Sequence, residues 1–436
     1  MATWRWILLM FLLGVACQPA AVSPDQPWRK VPLPASHTDH THLIKGPFTD
    51  GPAVTRACLS CHPAAAEEMM ATIHWTWLSE PAPVPGKDQI IRMGKANVVN
   101  NFCIAVKPNM PACTRCHAGY GWEDDTFDFK AEDRVDCLIC HDLSGAYRKG
   151  TAGRVAEGVN LEAAAKSVGV PTRNNCGVCH FAGGGGDAVK HGDMDGSMNF
   201  PSIRIDVHMG GHDFTCQACH QTVEHLIPGC SMSETTRTDH RLHCTRCHAE
   251  APHLQKRLNS HVNAVACQTC HIPRMAVHWA TKMTWDWSEA GQDLPINDPH
   301  VYLKKKGRFT FAKDAVPEYF WYNGLTTRYL QGDPVNRDGV TELNEPLGGI
   351  ADRLSKIWPF KVHRGKQPYD VKNGYLIIPR TYGEGGFWTE FDWDQANRIG
   401  MEIVDLPYSG QYAFAETAMY WPLNHMVQTK DRALQC

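Results

Sequence analysis

The sequence shows no strong excess of charge of either sign: 43 Lys and Arg stand against 46 Asp and Glu, a formal net charge of −3. A basic face, the electrostatic footprint of nucleic-acid binding, is therefore not expected, and no nucleic-acid partner is. Long apolar runs are scarce as well. Residues 7–15, behind Arg5, form an apolar stretch too short to cross a bilayer, and small residues follow. This reads as a secretory signal peptide over residues 1–21 rather than a membrane anchor, and implies export to the periplasm. Gly14-Val15-Ala16 before Cys17 also fits lipoprotein-type cleavage, which would leave a lipid anchor on Cys17; both readings stay open.

Cysteine and histidine are abundant: 18 Cys and 23 His. Fourteen cysteines fall into seven copies of C-x-x-C-H: Cys58/Cys61/His62, Cys113/Cys116/His117, Cys137/Cys140/His141, Cys176/Cys179/His180, Cys216/Cys219/His220, Cys244/Cys247/His248 and Cys267/Cys270/His271. The pattern is that of c-type haem attachment. Two thiols form thioethers to the porphyrin vinyl groups, and the next imidazole lies under the iron. A zinc site would draw four ligands from paired units, whereas here every pair carries its own histidine. Thioether formation outside the bacterial cytoplasm agrees with the export signal. Seven haem c groups are expected on this chain.

Intervals between motif starts are 55, 24, 39, 40, 28 and 23 residues, too irregular for a solenoid. Short gaps imply haems in close contact, and each porphyrin is an apolar plate that replaces side chains as core. Residues 22–57 are Pro-rich, with His37, His40 and His42 clustered, and read as an extended lead-in wrapping the first haem. Residues 58–280 form the multihaem core. Residues 281–436 hold no complete motif and are rich in aromatics; short strands, turns and a helix near 411–420 are expected. Four glycines at 183–186, followed by Lys190 and His191, suggest close backbone approach to a porphyrin face.

Several segments resemble the octahaem cytochromes c of the tetrathionate reductase family, within the wider group of multihaem nitrite reductase and hydroxylamine oxidoreductase. They are NNFCIAV at 100–106, CTRCHAGYGWEDDTFDF at 113–129, VDCLICHDLSGAY at 135–147, NCGVCHFAGGGGDAVKHGD at 175–193, ACQTCHIP at 266–273 and PFKVHRGKQPYD at 359–370. By the same resemblance, Asn424-His425-Met426 followed by Ala433-Leu434-Gln435-Cys436 is similar to the run-up to a last haem motif. Cys436 then opens an interrupted eighth motif, and an untruncated protein would carry eight haems. The resemblance implies a mainly α fold with extensive irregular loops and a core of stacked haems. It also implies reduction of a small inorganic substrate (tetrathionate, nitrite or hydroxylamine) at one special haem, fed by a quinol dehydrogenase or a small periplasmic cytochrome. A pure electron-transfer role and hydroxylamine oxidation remain the alternatives.

Carrier haems need two strong axial ligands, while a catalytic haem needs one open or displaceable position. Candidate distal ligands are His74, His191, His208, His212, His225, His253, His261, His278 and His425. The family resemblance implies a lysine amine on the catalytic iron. No motif here is C-x-x-C-K, so the amine comes from elsewhere: Lys149 best fits the pattern and Lys107 is the alternative. The second haem, on Cys113, Cys116 and His117, is the expected catalytic one, with Asp142, Tyr147, Arg148 and Lys190 as contributors. Cys103 and Cys230 lie outside the motifs; a disulfide between them, which the compartment permits, and a place for one of them near the substrate are both open, with a structural role the expected one.

Overall fold

The structure, a computed structural model, describes residues 37–231 and 241–435. The signal segment, Cys17 and Cys436 lie outside them. The mainly α expectation does not hold: about 25% of the chain is helical and 17% strand, with a large mixed sheet and few helices.

The haem-motif region is built from single helical turns. Positions i, i+3 and i+4 of a helix share a face, so one turn aims both thiols and the imidazole of C-x-x-C-H the same way. Helix α1 (Gly51–Leu59) is started by Asp50, whose side chain accepts from Ala53 N at 2.8 Å, and it carries Cys58 in its last turn. Helix α2 (Arg173–His180) is opened by a Thr172–Asn175 capping box and holds the fourth motif. Helix α3 (Cys267–His271) is the seventh motif itself. Other motifs sit on 3-10 turns such as Thr114–Cys116 and Cys244–Arg246. Small side-chain cores join some of these elements, with Val54 of α1 packed in one cluster with Tyr120, Leu138 and Leu161.

The C-terminal third is a seven-stranded sheet: β1 (Thr281–Asp286), β2 (Tyr302–Leu303), β3 (Gly307–Ala312), β4 (Glu318–Tyr322), β5 (Thr341–Glu342), β6 (Lys356–Asp370) and β7 (Tyr412–Pro422). Its order is β2-β3-β1-β6-β7-β5, with β4 also beside β6. The 15-residue β6 is the spine. One edge runs antiparallel to β7 from Phe360↔Pro422 to Asp370↔Tyr412. The other is shared between β4, at Tyr322↔Lys356 to Glu318↔Phe360, and β1, which lies parallel at Thr284↔Arg364 to Asp286↔Lys366. The helix expected near 411–420 is therefore strand β7. Its alanines and Glu416 favour helix locally, but pairing along β6 and burial of residues 417–421 override that preference.

Behind the sheet lies a side-chain core of Trp285, Trp287, Phe309, Phe387, Trp393 and Trp421. Trp285 stacks on Trp287 at 4.7 Å and Phe387 on Trp393 at 3.9 Å. Helix α4 (Trp393–Ile403) closes this core, started by Asp392 accepting from Gln395 N at 3.0 Å. Val99, Phe102 and Ile104 belong to the same core, so the sheet anchors the loop that leads into the second motif.

Candidate functional site: paired histidines and one exception

Two imidazoles bound at about 2 Å on opposite sides of one metal have ring centroids roughly 6 Å apart. Six motif histidines meet another histidine at that separation. The pairs are His62 with His40 at 6.4 Å, His180 with His74 at 6.1 Å and His141 with His225 at 6.4 Å. The remaining three are His248 with His208 at 6.0 Å, His220 with His425 at 6.4 Å and His271 with His253 at 6.3 Å. The gaps are too wide for ring contact and fit one iron each. Of the sequence-derived candidates, His74, His208, His225, His253 and His425 stand in such pairs. His191 packs against Trp421 at 5.2 Å, His212 lies 6.1 Å from Phe214, and His278 lies 4.8 Å from Trp279. His261 ends a short helix. His40 was missed as a ligand, although its clustering with His37 and His42 in the lead-in was the available signal.

Among the described residues, His117 is the exception. Trp75, Trp77, Trp122 and Phe127 surround its ring at 4.8–5.7 Å, and it is fully buried. Its Nε2 lies 2.6 Å from Trp75 O and its Nδ1 has no partner. In His141 and His220 it is Nδ1 that meets a carbonyl, Gly169 O at 2.8 Å and Pro228 O at 2.7 Å. That leaves Nε2 for a metal, the usual arrangement. Among the described residues the second motif thus differs from the other six in its partner, and from the third and fifth in ring orientation.

Motif cysteines also meet across motifs: Cys58 with Cys137, Cys116 with Cys179, Cys176 with Cys216 and Cys244 with Cys267 are in thiol contact. Cys140 is close enough to influence Cys176, and Cys247 to influence Cys219. Each cysteine would mark a vinyl edge of the porphyrin bound at its motif, so these contacts would make the haems of those motifs edge neighbours. The order is first, third, fourth, fifth, sixth, seventh, with the second branching from the fourth.

Cys61 and Cys270 belong to the motifs at the two ends of that order. Helix α1 stops at Leu59, so Cys61 falls in the turn beyond it, exposed, with the Ser60 hydroxyl 3.8 Å from its sulfur. Cys270 is only partly buried. It lies toward Tyr319 on β4, where its charge adds to the burial that pushes the phenol up, and its carbonyl accepts from Leu434 N at 2.9 Å. Both keep the C-x-x-C-H spacing of the first and seventh motifs.

Beside the second motif lies a buried cationic cluster that sequence reasoning missed. Cys103, in electrostatic reach of Cys113, has its thiol pushed up by burial despite nearby Lys306, Lys282 and Lys95. Lys282 is 4% exposed and its amine sits 3.3 Å from the Phe309 ring and 3.9 Å from Trp285. Burial, then the charge of Lys306, brings its pKa down to about 6. His363 gives Nδ1 to Asn101 Oδ1 at 2.8 Å, leaves Nε2 without a partner, and is held well below its ordinary value by burial. Asn101 also donates to His363 O at 2.7 Å, which clips the Asn101–Cys103 loop onto β6.

Of the two lysines that the family resemblance offered, Lys107 pairs at the surface with Asp125 at 3.4 Å. Lys149 is buried against Asp136 at 3.0 Å and donates to His117 O at 2.5 Å and Gly119 O at 2.8 Å. Tyr147 and Tyr120 both donate to Asp136, at 2.9 and 2.8 Å. Asp142 accepts from Ser144 N at 3.1 Å, Gly145 N at 3.1 Å and the Ser167 hydroxyl at 2.9 Å, which shapes the turn after the third motif. Lys190 is carried differently. Every carbonyl from Ala188 to His191 is held from β1 or β6. Thr281 Oγ1 donates to Ala188 O at 2.7 Å and His191 O at 2.9 Å, and the buried Lys361 amine to Val189 O at 2.7 Å and Lys190 O at 3.2 Å. The Lys190 amine lies 4.7 Å from the Trp421 ring centroid. A Cβ on Gly184 would meet both Lys190 and Phe102 at 3.3 Å, so the glycine run here serves close packing of these two segments.

The family description Cytochrome c bacterial matches residues 282–436. A protein of Archaeoglobus fulgidus described as uncharacterized is 23% identical over 223 residues, covering 39% of this chain and 74% of its own length. The crystal structure of octaheme cytochrome c from Shewanella oneidensis matches with a TM-score of 0.86 and 47% identity, covering 92% of this chain and 93% of that one. With the paired histidines and covalent haem motifs already in place, identity and coverage of that order mean that this chain belongs to the octahaem c-type cytochromes.

Proposed function

We propose that this multihaem c-type redox cytochrome is an exported reductase of a small inorganic compound, with tetrathionate, nitrite and hydroxylamine as the candidate class. The chemistry takes place at the second haem, and the six histidine-paired haems feed it. The observation that carries the reading is His117, which faces aromatic rings and a backbone carbonyl where six other motif histidines face a second imidazole. A haem, when bound there, supplies an iron with a displaceable axial position and delivers electrons one at a time.

The residues beside it suit an anion. Lys282, neutral above about pH 6 in a site without charge of opposite sign, takes up a proton as an anion enters, because the anion stabilises the ammonium. It can then stabilise negative charge as it develops on the substrate. Splitting the S–S bond of tetrathionate takes electrons alone. Reducing nitrite or hydroxylamine also takes protons, which Lys282 and His363 are placed to hand over. The amine ligand implied by the resemblance is Lys149, whose amine already lies at the second motif, donating to His117 O and Gly119 O; Asp136 would keep the hydroxyls of Tyr147 and Tyr120 when that amine turns to the iron. Delivery by a quinol dehydrogenase or a small periplasmic cytochrome, and anchoring through Cys17, belong to the same reading.

The test is spectroscopy and turnover on the haem-loaded full-length chain. One haem should change its spectrum on adding cyanide, nitrite or hydroxylamine, and one of the three substrates should oxidise the reduced protein catalytically. K149M should change the spectrum of that haem and K107M should not. If every haem is low-spin and inert to these ligands, the protein is an electron wire and the reading fails.

A further inference from the structure

The histidines that face the motif histidines are not all held alike. His225, opposite His141, has Nδ1 2.8 Å from Glu68 Oε2. His425, opposite His220, has Nδ1 3.2 Å from Asp193 Oδ2. Asp193 is fixed by accepting from the backbone N–H of Asn424 at 2.6 Å and of His425 at 2.9 Å. By contrast, His253 meets the neutral amide of Asn259 at 3.2 Å. Asp206 stands 3.9 Å from His208 Nδ1, beyond hydrogen-bond reach, and its Oδ1 accepts from His208 N and Met209 N at 2.8 Å each. His141 and His220 themselves meet backbone carbonyls.

A carboxylate on Nδ1–H draws the proton toward itself and makes the imidazole a stronger donor through Nε2. A stronger donor favours the ferric over the ferrous state and so lowers the reduction potential. The two histidines treated this way serve the third and fifth haems. Those two lie on either side of the fourth, at the Cys140–Cys176 and Cys176–Cys216 approaches. The fourth in turn borders the second through Cys116 and Cys179.

We infer that Glu68 and Asp193 are redox-tuning residues that set the third and fifth haems at low potential. An electron arriving along either arm then steps downhill into the fourth haem and on toward the second. Each step is a one-electron exchange in which one ferrous iron becomes ferric and its neighbour the reverse, the electrons coming from an external reductant. The direction of flow rests on the second haem being the site of chemistry; the tuning does not.

The test uses the haem-loaded full chain with E68Q and D193N, their haem content checked by intact mass. Component midpoints are read by spectroelectrochemical titration. Each variant should move one component to more positive potential and leave the rest unshifted. Under sub-stoichiometric reduction the shifted haem should hold a larger share of the electrons. H225M and H425M serve as the ligand check, each changing the spectrum of one haem without loss of covalent haem. If neither E68Q nor D193N moves a midpoint while haem content is intact, the inference is overturned; if H225M or H425M leaves every haem spectrum unchanged, the pairing beneath it falls. A second haem that proves inert defeats the proposed function but leaves the midpoint result to stand alone.

Discussion

Single residues carry most of the chemistry, and their behaviour with pH is specific. Lys282 has its pKa lowered to about 6 by burial and by Lys306, against an unfolded value near 10.4. Between those values the unfolded chain binds a proton that the folded one does not, so this residue makes stability rise with pH across that window. Below about pH 6 the folded state must protonate too, and the contribution is at its lowest. K282M should therefore flatten the rise, by up to ~1.4 kcal/mol per pH unit in unfolding experiments. It should also cut turnover by roughly 10²-fold with haem content unchanged. Asn101 makes hydrogen bonds to both His363 Nδ1 and His363 O while fully buried. N101A should destabilise the fold by about 1–3 kcal/mol, seen as a lower denaturation midpoint. Y147F removes one of two tyrosine donors to Asp136 and should cost about 1 kcal/mol, read as a lower denaturation midpoint. At this scale the sequence made the thiols and motif histidines plain because their spacing is local. Lys282 and His363 were hidden because their burial depends on strands that pair across long separations.

Among the elements, β6 was the least legible. KIWPFKVHRGKQPYD contains Pro359 and Pro368, which disfavour a central strand, and charged residues with no regular alternation. The structure accommodates this because Lys361, His363 and Gln367 are buried with partners or toward the candidate site. Such burial is stabilised where partners are found; His363 Nε2 and Gln367 Nε2 have none among the described residues. The resemblance to multihaem enzymes suggested helices, but a motif needs only one turn, and the protein supplies little more than that at each. Gly365 shows how tightly the sheet holds the loop of the site: an added Cβ would come within 2.8 Å of Asn101 Cβ and 3.0 Å of Thr417 Oγ1. G365A should cost about 1–3 kcal/mol through overpacking, read as a lower melting temperature. It should also loosen the Asn101–Cys103 segment, seen as faster thiol labelling of Cys103.

For the molecule as a whole, the seven motifs announced the cofactor and the class, while the pairing of histidines did not follow from order along the chain. His425 faces His220 and His40 faces His62; such partners are brought together by the fold, which local spacing does not encode. What sets this cytochrome apart from a row of equivalent carriers is that one motif histidine stands outside the pattern of pairs. The most direct measurement is electron paramagnetic resonance of the oxidised, haem-loaded chain, with and without cyanide, compared between wild type and H117A. The account expects low-spin bis-histidine signals plus one distinct haem that responds to cyanide, with H117A leaving the bis-histidine signals untouched. A spectrum in which the second haem is one more bis-histidine centre, lost on H117A and blind to cyanide, would contradict it.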